Sequence, residues 1–131
     1  MGAVRSHAKQ LVDDFAVRTP TLDTRTASLS GGNIQKLIMA REMSAIMLRG
    51  AGVLVVSQPT RGVDIGAAEY IHARLIAARD AGLAVLVISE DLDEVLALSD
   101  RVGVMLNGRL VSVLDRAECT LERLGLLMTG G

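Results

Sequence analysis

The stretch Val53-Leu54-Val55-Val56-Ser57-Gln58-Pro59 decides the fold. Its first four residues are a short apolar run rich in β-branched side chains, and Ser57-Gln58-Pro59 ends it. A continuous apolar run reads as a strand of a parallel sheet, buried because helices cover both faces. Asp64 or Ile65 then opens a helix to about Ala81, with Ala68, Ile71, Leu75 and Ala78 at helical spacing and Gly82 as its end. A second buried strand follows at Ala84-Val85-Leu86-Val87-Ile88. Strand, helix, strand predicts a parallel α/β unit with a right-handed crossover.

Upstream, Ser6–Ala16 reads as a helix with Leu11, Val12 and Phe15 on one side. The Thr-rich stretch Arg18–Leu29 reads as loose. Ser30 caps a helix of about Gly31–Arg49, with Gly50 as the stop. Its apolar positions go most of the way round, including a Met39/Met43/Met47 stripe, so the helix should be buried on more than one side. Downstream, Asp91–Leu98 is a short helix whose Asp91, Asp93 and Glu94 favour its positive end. Asn107-Gly108 joins Arg101–Leu106 and Arg109–Leu114 in a hairpin pairing Val104 with Val111 and Val102 with Val113. Glu118–Leu127 reads as a terminal helix.

Composition narrows the function. Half of the 131 residues are apolar, which supports a packed core. Fourteen basic residues against fifteen acidic ones leave no cationic surface for nucleic acid. With no Trp, one Tyr (Tyr70) and one Phe (Phe15), base stacking has no platform. No apolar run is long enough for a membrane span. Cys119 is alone, so no internal disulfide forms. His7 and His72 lie far apart in sequence, with no metal-ligand spacing around them, so no metal site is expected. His72 reads as a surface or subunit contact.

The segment Leu29-Ser30-Gly31-Gly32-Asn33-Ile34-Gln35-Lys36 is a serine cap, two glycines and a helix start. A hydroxyl, bare backbone N–H groups and a positive helix end together suit a phosphate. On physics alone it is equally an ordinary capped helix after a turn. Its wording is more specific. Leu-Ser-Gly-Gly-Asn resembles the signature motif of ABC transporter ATPases, and Asn33-Ile34-Gln35-Lys36 resembles the tandem-domain ATPases of simple-sugar and nucleoside importers. The resemblance continues in the family's order. Val53–Val56 with Ser57-Gln58-Pro59-Thr60 stands where the Walker B strand would be, and Arg61-Gly62-Val63-Asp64 matches the D-loop. Val85–Glu94 stands where the switch-histidine strand and loop would be. Ser99-Asp100-Arg101-Val102 and Asn107-Gly108-Arg109-Leu110 match the closing segment.

A phosphate-gripping loop of the G-x-x-x-x-G-K-[ST] type needs a Lys behind a glycine. The only lysines, Lys9 and Lys36, follow none. By the resemblance, that loop would precede Met1. Two catalytic positions also depart from the family's acids: Ser57 and Gln58 stand where an Asp and a Glu would serve Mg²⁺ and the attacking water. Neither is ionised, and loss of a positioned base costs ~10²–10⁴ in rate. Glu90 stands at the switch-histidine position, where an anion repels a γ-phosphate.

The resemblance therefore implies an α/β fold: an incomplete P-loop-NTPase-like core with a short parallel sheet, a C-terminal β-hairpin and part of the helical subdomain. Residues 1–50 would belong to the helical signature subdomain and 51–131 to the later ATPase core. Val53–Val56 and Ala84–Ile88 should be neighbours, leaving an apolar strand edge. Arg101–Leu106 or another chain is expected to close it.

The function implied is that of a partial nucleotide-binding domain of an importer ATPase for a nucleoside or simple sugar, cytoplasmic at the inner face of the cell membrane. Ser30, Gly31, Gly32, Asn33 and Asp64 would close over ATP held by a partner domain, and the site using Ser57, Gln58 and Glu90 would hydrolyse poorly. ATP with Mg²⁺ belongs to the full assembly, with none expected on the isolated chain, which should not hydrolyse ATP alone. Partners would be another nucleotide-binding domain and transmembrane permease subunits, which could meet an apolar surface around Phe15 and residues 18–28. The alternative is a non-hydrolytic regulatory module that pairs with a complete ATPase domain.

Overall fold

The computed structural model describes residues 2–50 and 52–131. They fall into two compact units that divide between Leu86 and Val87.

The first unit contains α1 (Gly2–Asp14), α2 (Gly31–Met47), β1 (Val53–Ser57), α3 (Ile65–Asp80) and the start of β2 (Ala84–Ile88). Helix α2 packs against α1, α3 and β1. This explains its wide apolar surface: Met39, Ala40 and Met43 are buried, while Ile38 stays exposed. The Met47 side chain, third in the predicted stripe, lies outside the described residues. Helix α3 buries Ala67, Ile71, Leu75 and Ala78, with Ala67 taking the place expected of Ala68. Helix α1 ends before Phe15, which folds back into the core at 4% exposure. A buried Phe15 cannot line an outward contact surface, which corrects the expectation that it does.

The two strands form a short parallel sheet, as the strand–helix–strand pattern requires. Its entry is fixed by the Ala84 amide, which donates to the Gly52 carbonyl (3.2 Å). The expectation of strands buried on both faces is not met. Leu54 is 4% exposed, but Val53 and Val55 are 63% and 58% exposed, and Leu86 and Ile88 are exposed as well. Side chains alternate across a strand, so one face of β1 is covered and the other is open.

The stretch Arg18–Leu29 is not loose. Thr19 Oγ1 donates to the Thr21 carbonyl, the Thr21 amide donates to Thr24 Oγ1, and Ser28 Oγ donates to the Arg25 carbonyl. Threonine and serine hydroxyls replace ladder hydrogen bonds here. A 3₁₀ turn at Thr26–Ser28 completes the segment.

The second unit holds α4 (Leu92–Leu98), β3 (Arg101–Leu106), β4 (Arg109–Asp115) and α5 (Leu121–Thr129). Strands β3 and β4 form a sheet of their own, so Arg101–Leu106 does not extend β2. The turn carries Asn107 at φ 48° and Gly108 at φ 75°, as a two-residue hairpin demands. The register differs from the expected one. A bulge between Val104 and Met105 pairs Val102 with Leu114 and Val104 with Ser112. The extra residue moves Val111 and Val113 to exposed positions and turns Leu114 into the core. There Val102, Val104, Leu114, Cys119 and Leu124 cluster, with Leu92, Val95, Leu96 and Leu127 packed around them. Helix α5 starts later than predicted because Arg116–Glu118 closes a 3₁₀ turn through a capping box on Asp115.

Candidate functional site

The signature segment folds as its residues predict. Ser30 is the N-cap of α2, in extended backbone at φ −65° and ψ 156°. Its Oγ accepts from the Asn33 amide (3.4 Å) and from Asn33 Nδ2 (2.9 Å). The amides of Gly31 and Gly32 come next, and the first amides of a helix have no intrahelical acceptor. Asn33 also accepts from the Arg18 amide through Oδ1 (2.8 Å).

Asp64 lies against this segment. It caps α3, its Oδ1 accepting from the Ala67 amide (2.9 Å). A Cβ placed on Gly32 would sit 3.6 Å from Asp64 Oδ2 and 2.8 Å from Ala67 Cβ. One placed on Gly31 would meet the Gly62 carbonyl at 3.2 Å. The close approach of the Gly62–Ala67 segment therefore requires Gly32 and leaves only a tight fit for a side chain at Gly31. Two capped helix starts converge here, each carrying partial positive charge. Ser30 and Gly31 are exposed, whereas Gly32 is buried against Ala67 and the Asp64 carboxylate, so the surface a phosphate could meet is the Ser30 hydroxyl and the Gly31 backbone.

Ser57, Gln58 and Glu90 occupy strand and loop ends. Ser57 is the last residue of β1 and is exposed. Gln58 follows in the left-handed region at φ 50° and is half-buried, and Pro59 behind it is buried. Glu90 precedes the α4 cap Asp91 and is exposed. Asp91 accepts from the amides of Asp93 and Glu94, so the acid group there serves the helix start. Among the described residues no group of His, Cys, Asp and Glu gathers in a metal-binding arrangement. Cys119 is buried, and its thiol donates to the Asp115 carbonyl (3.3 Å).

A second cluster escaped the sequence reading. The chain's one Tyr and one Phe meet the turn that follows α1. Tyr70 Oη donates to the Asp14 carbonyl (2.9 Å), and Lys36 Nζ lies 4.6 Å from the Tyr70 ring centre while donating to the Ala16 carbonyl (3.4 Å). Arg74 stacks on Phe15 at 4.1 Å. Ala16 takes φ 49° to make this turn. Burial raises the Tyr70 phenol above its usual pKa. Lys36, the residue that could have suggested a phosphate grip, is engaged in this junction. Only the pairing of cations with rare aromatics hinted at it, and no spacing rule finds it.

No family model matches the chain. Curated relatives do. The chain is 50% identical over 128 residues to the nucleoside import ATP-binding protein NupA of Lactococcus lactis subsp. cremoris, covering 98% of this chain and 24% of that protein. It is 44% identical over 129 residues to the guanosine import ATP-binding protein NupO of Bacillus subtilis, with 98% and 24% covered. A glucose import ATP-binding protein of Haloferax volcanii is 46% identical over 132 residues, with 99% and 23% covered. The chain thus spans about a quarter of the length of these relatives.

Among solved structures, a nucleotide-free ATP-binding cassette from an ABC transporter superposes with a TM-score of 0.68 at 23% identity, covering 95% of this chain and 46% of that one. An ABC transporter in an inward-facing conformation gives 0.74 at 16% identity, with 95% and 48% covered. Sequence and fold agree: the chain is similar to one part of the ATP-binding proteins of ABC importers, and it shares the fold of an ABC ATP-binding cassette.

Proposed function

We propose that the chain is the later part of the second nucleotide-binding domain of an ABC importer ATPase. In this reading residues 1–50 belong to the helical signature subdomain and residues 51–131 to the later ATPase core. The observation that carries the reading is the convergence of the Ser30 and Asp64 helix starts, with Ser30 and Gly31 exposed where they meet. Ser30 offers its hydroxyl proton, and the exposed Gly31 its amide, to the phosphates of ATP held by a partner domain, while the buried Gly32 lets α3 pack close. Asn33 and Asp64 shape that surface. ATP with Mg²⁺ supplies the transferable phosphoryl group when bound in the full assembly.

The site formed on this chain's own Ser57, Gln58 and Glu90 lacks an ionised base and places an anion at the switch position, so it hydrolyses slowly or not at all. The work of the assembly would be uptake of a nucleoside or simple sugar through transmembrane permease subunits. The substrate class follows the names of the relatives, which are nucleoside, guanosine and glucose import proteins. Among the described residues no helix is long and apolar enough to cross a membrane. By likeness to the import proteins, attachment to the inner face of the cell membrane would be through the permease. The open edge of β2 is where a further strand or a second copy would add.

Ser30→Arg in the complete importer tests the reading. The added side chain fills the phosphate position, and both ATP turnover and transport should fall to a small fraction. Unchanged turnover and transport would overturn it. Ser57 and Gln58 favour a second reading, a non-hydrolytic module that pairs with a complete ATPase domain. Under that reading Ser57→Asp with Gln58→Glu changes nothing in the assembly. Under the first, the pair restores part of the missing acid chemistry. Tight ATP binding by the chain on its own would contradict both.

A further inference from the structure

We propose that Asn33 is a positioning residue, one that aims the Ser30 hydroxyl proton outward and tethers the segment after α1 to the signature. The proposal rests on the reading of Ser30 as a donor to a partner's ATP, and it moves Asn33 from ligand contact to internal support. The orientation of the Asn33 carboxamide is set by chemistry. The Arg18 amide can only donate, so the atom 2.8 Å from it must be the oxygen. Nδ2 then faces Ser30 Oγ at 2.9 Å, with the Asn33 amide behind it at 3.4 Å. A hydroxyl has two lone pairs and one proton. With both lone pairs occupied from the helix side, the proton points away from α2, toward the open side where Ser30 and Gly31 are exposed.

One side chain thereby joins two features. Its donor end sets the serine, and its acceptor end holds Arg18, the first residue of the segment pinned further along by the Arg5–Asp23 pair (3.0 and 2.9 Å). An aspartate at 33 keeps the shape and still accepts from Arg18. It cannot donate to Ser30, so the serine proton turns inward to the carboxylate. A glutamine is one methylene longer and cannot keep both bonds at these distances.

The test uses the complete importer, comparing Ser30→Ala, Asn33→Asp and the double variant by steady-state ATP turnover. We expect Asn33→Asp to lower kcat by about tenfold or more, as loss of one aimed donor does, with KM for ATP little changed. The double variant should then match Ser30→Ala alone. A double variant that falls well below Ser30→Ala overturns the proposal while leaving the reading of Ser30 intact, because Asn33 would then act by charge or direct contact. A silent Ser30→Ala overturns that reading and the aiming role with it.

The tether is judged separately by hydrogen exchange of the same assembly. Asn33→Ala should speed exchange at the Arg18 amide by about tenfold, because its acceptor is gone. Unchanged exchange overturns the tether whatever the turnover shows.

Discussion

Gly32 and Ala67 stand so close that a Cβ on Gly32 would lie 2.8 Å from the Ala67 methyl carbon. The contact welds the start of α2 to the first turn of α3, which puts the Ser30 cap beside the Asp64 cap. A missing side chain in one motif thus serves the placement of the other. The buried Gly32 lets the two helix starts approach, while its neighbour Gly31 stays exposed.

Gly32→Ala should therefore destabilise the chain by about 1–3 kcal/mol, the usual cost of overpacking. Ala67→Gly in the same chain removes the offending carbon and should recover part of that loss. Urea unfolding of the single and double variants measures both. Gly31→Ala, facing the Gly62 carbonyl at 3.2 Å, should cost less.

Tyr70 links α3 to the turn after α1, and its phenol is raised above the ordinary value of 10, chiefly by burial. A raised folded pKa means the neutral phenol is favoured in the folded chain. Its contribution is complete below pH 10 and is lost as pH climbs through the raised value. The unfolding midpoint should drop as pH rises past 10, and Tyr70→Phe should flatten that drop. At neutral pH the same variant should lose about 1 kcal/mol, the net worth of one hydrogen bond.

Arg5 and Asp23 form a two-pronged pair at 3.0 and 2.9 Å on the open surface. The Arg5 hydrogen bond is the main reason that the Asp23 carboxyl lies below its usual pKa. Its depressed pKa favours the folded chain above the ordinary carboxylate range, and that gain fades as pH falls. Arg5→Ala should move the Asp23 titration, followed by carboxyl NMR, back toward the ordinary value. Neutral-pH stability should hardly change, since exposed pairs contribute little.

Two leucines two residues apart on α5 should behave differently. Leu124 is 1% exposed in the core of the second unit, whereas Leu126 is 53% exposed. Leu124→Ala should cost about 2–5 kcal/mol, and Leu126→Ala about 0.5 kcal/mol or less. Thermal unfolding of the two variants separates them.

The sequence alone determined the order of the main helices and strands, the Ser30 helix cap, the start of α3 to within a residue, the Asn107-Gly108 turn and the likeness to ABC ATPases. These are local matters. A serine before two glycines, or Asn-Gly between two apolar runs, biases the backbone through bonds and torsions within a few residues. The absence of a Lys behind a glycine was equally legible.

Tertiary structure decided the rest. The bulge at Val104/Met105 cannot be read from alternation, because Val111, Val113 and Leu114 are all apolar, and only the packing around Leu124 selects Leu114 for the core. The apolar run Val53–Val56 implied two covered faces, yet whether a face is covered depends on what packs against it, and Val53 and Val55 are exposed. The loop at residues 18–29 was ordered by hydroxyls bonded within it and by Asn33 reaching back across fifteen positions. Contacts of that range are set by which helices pack together, and the sequence at either end carries no sign of its partner.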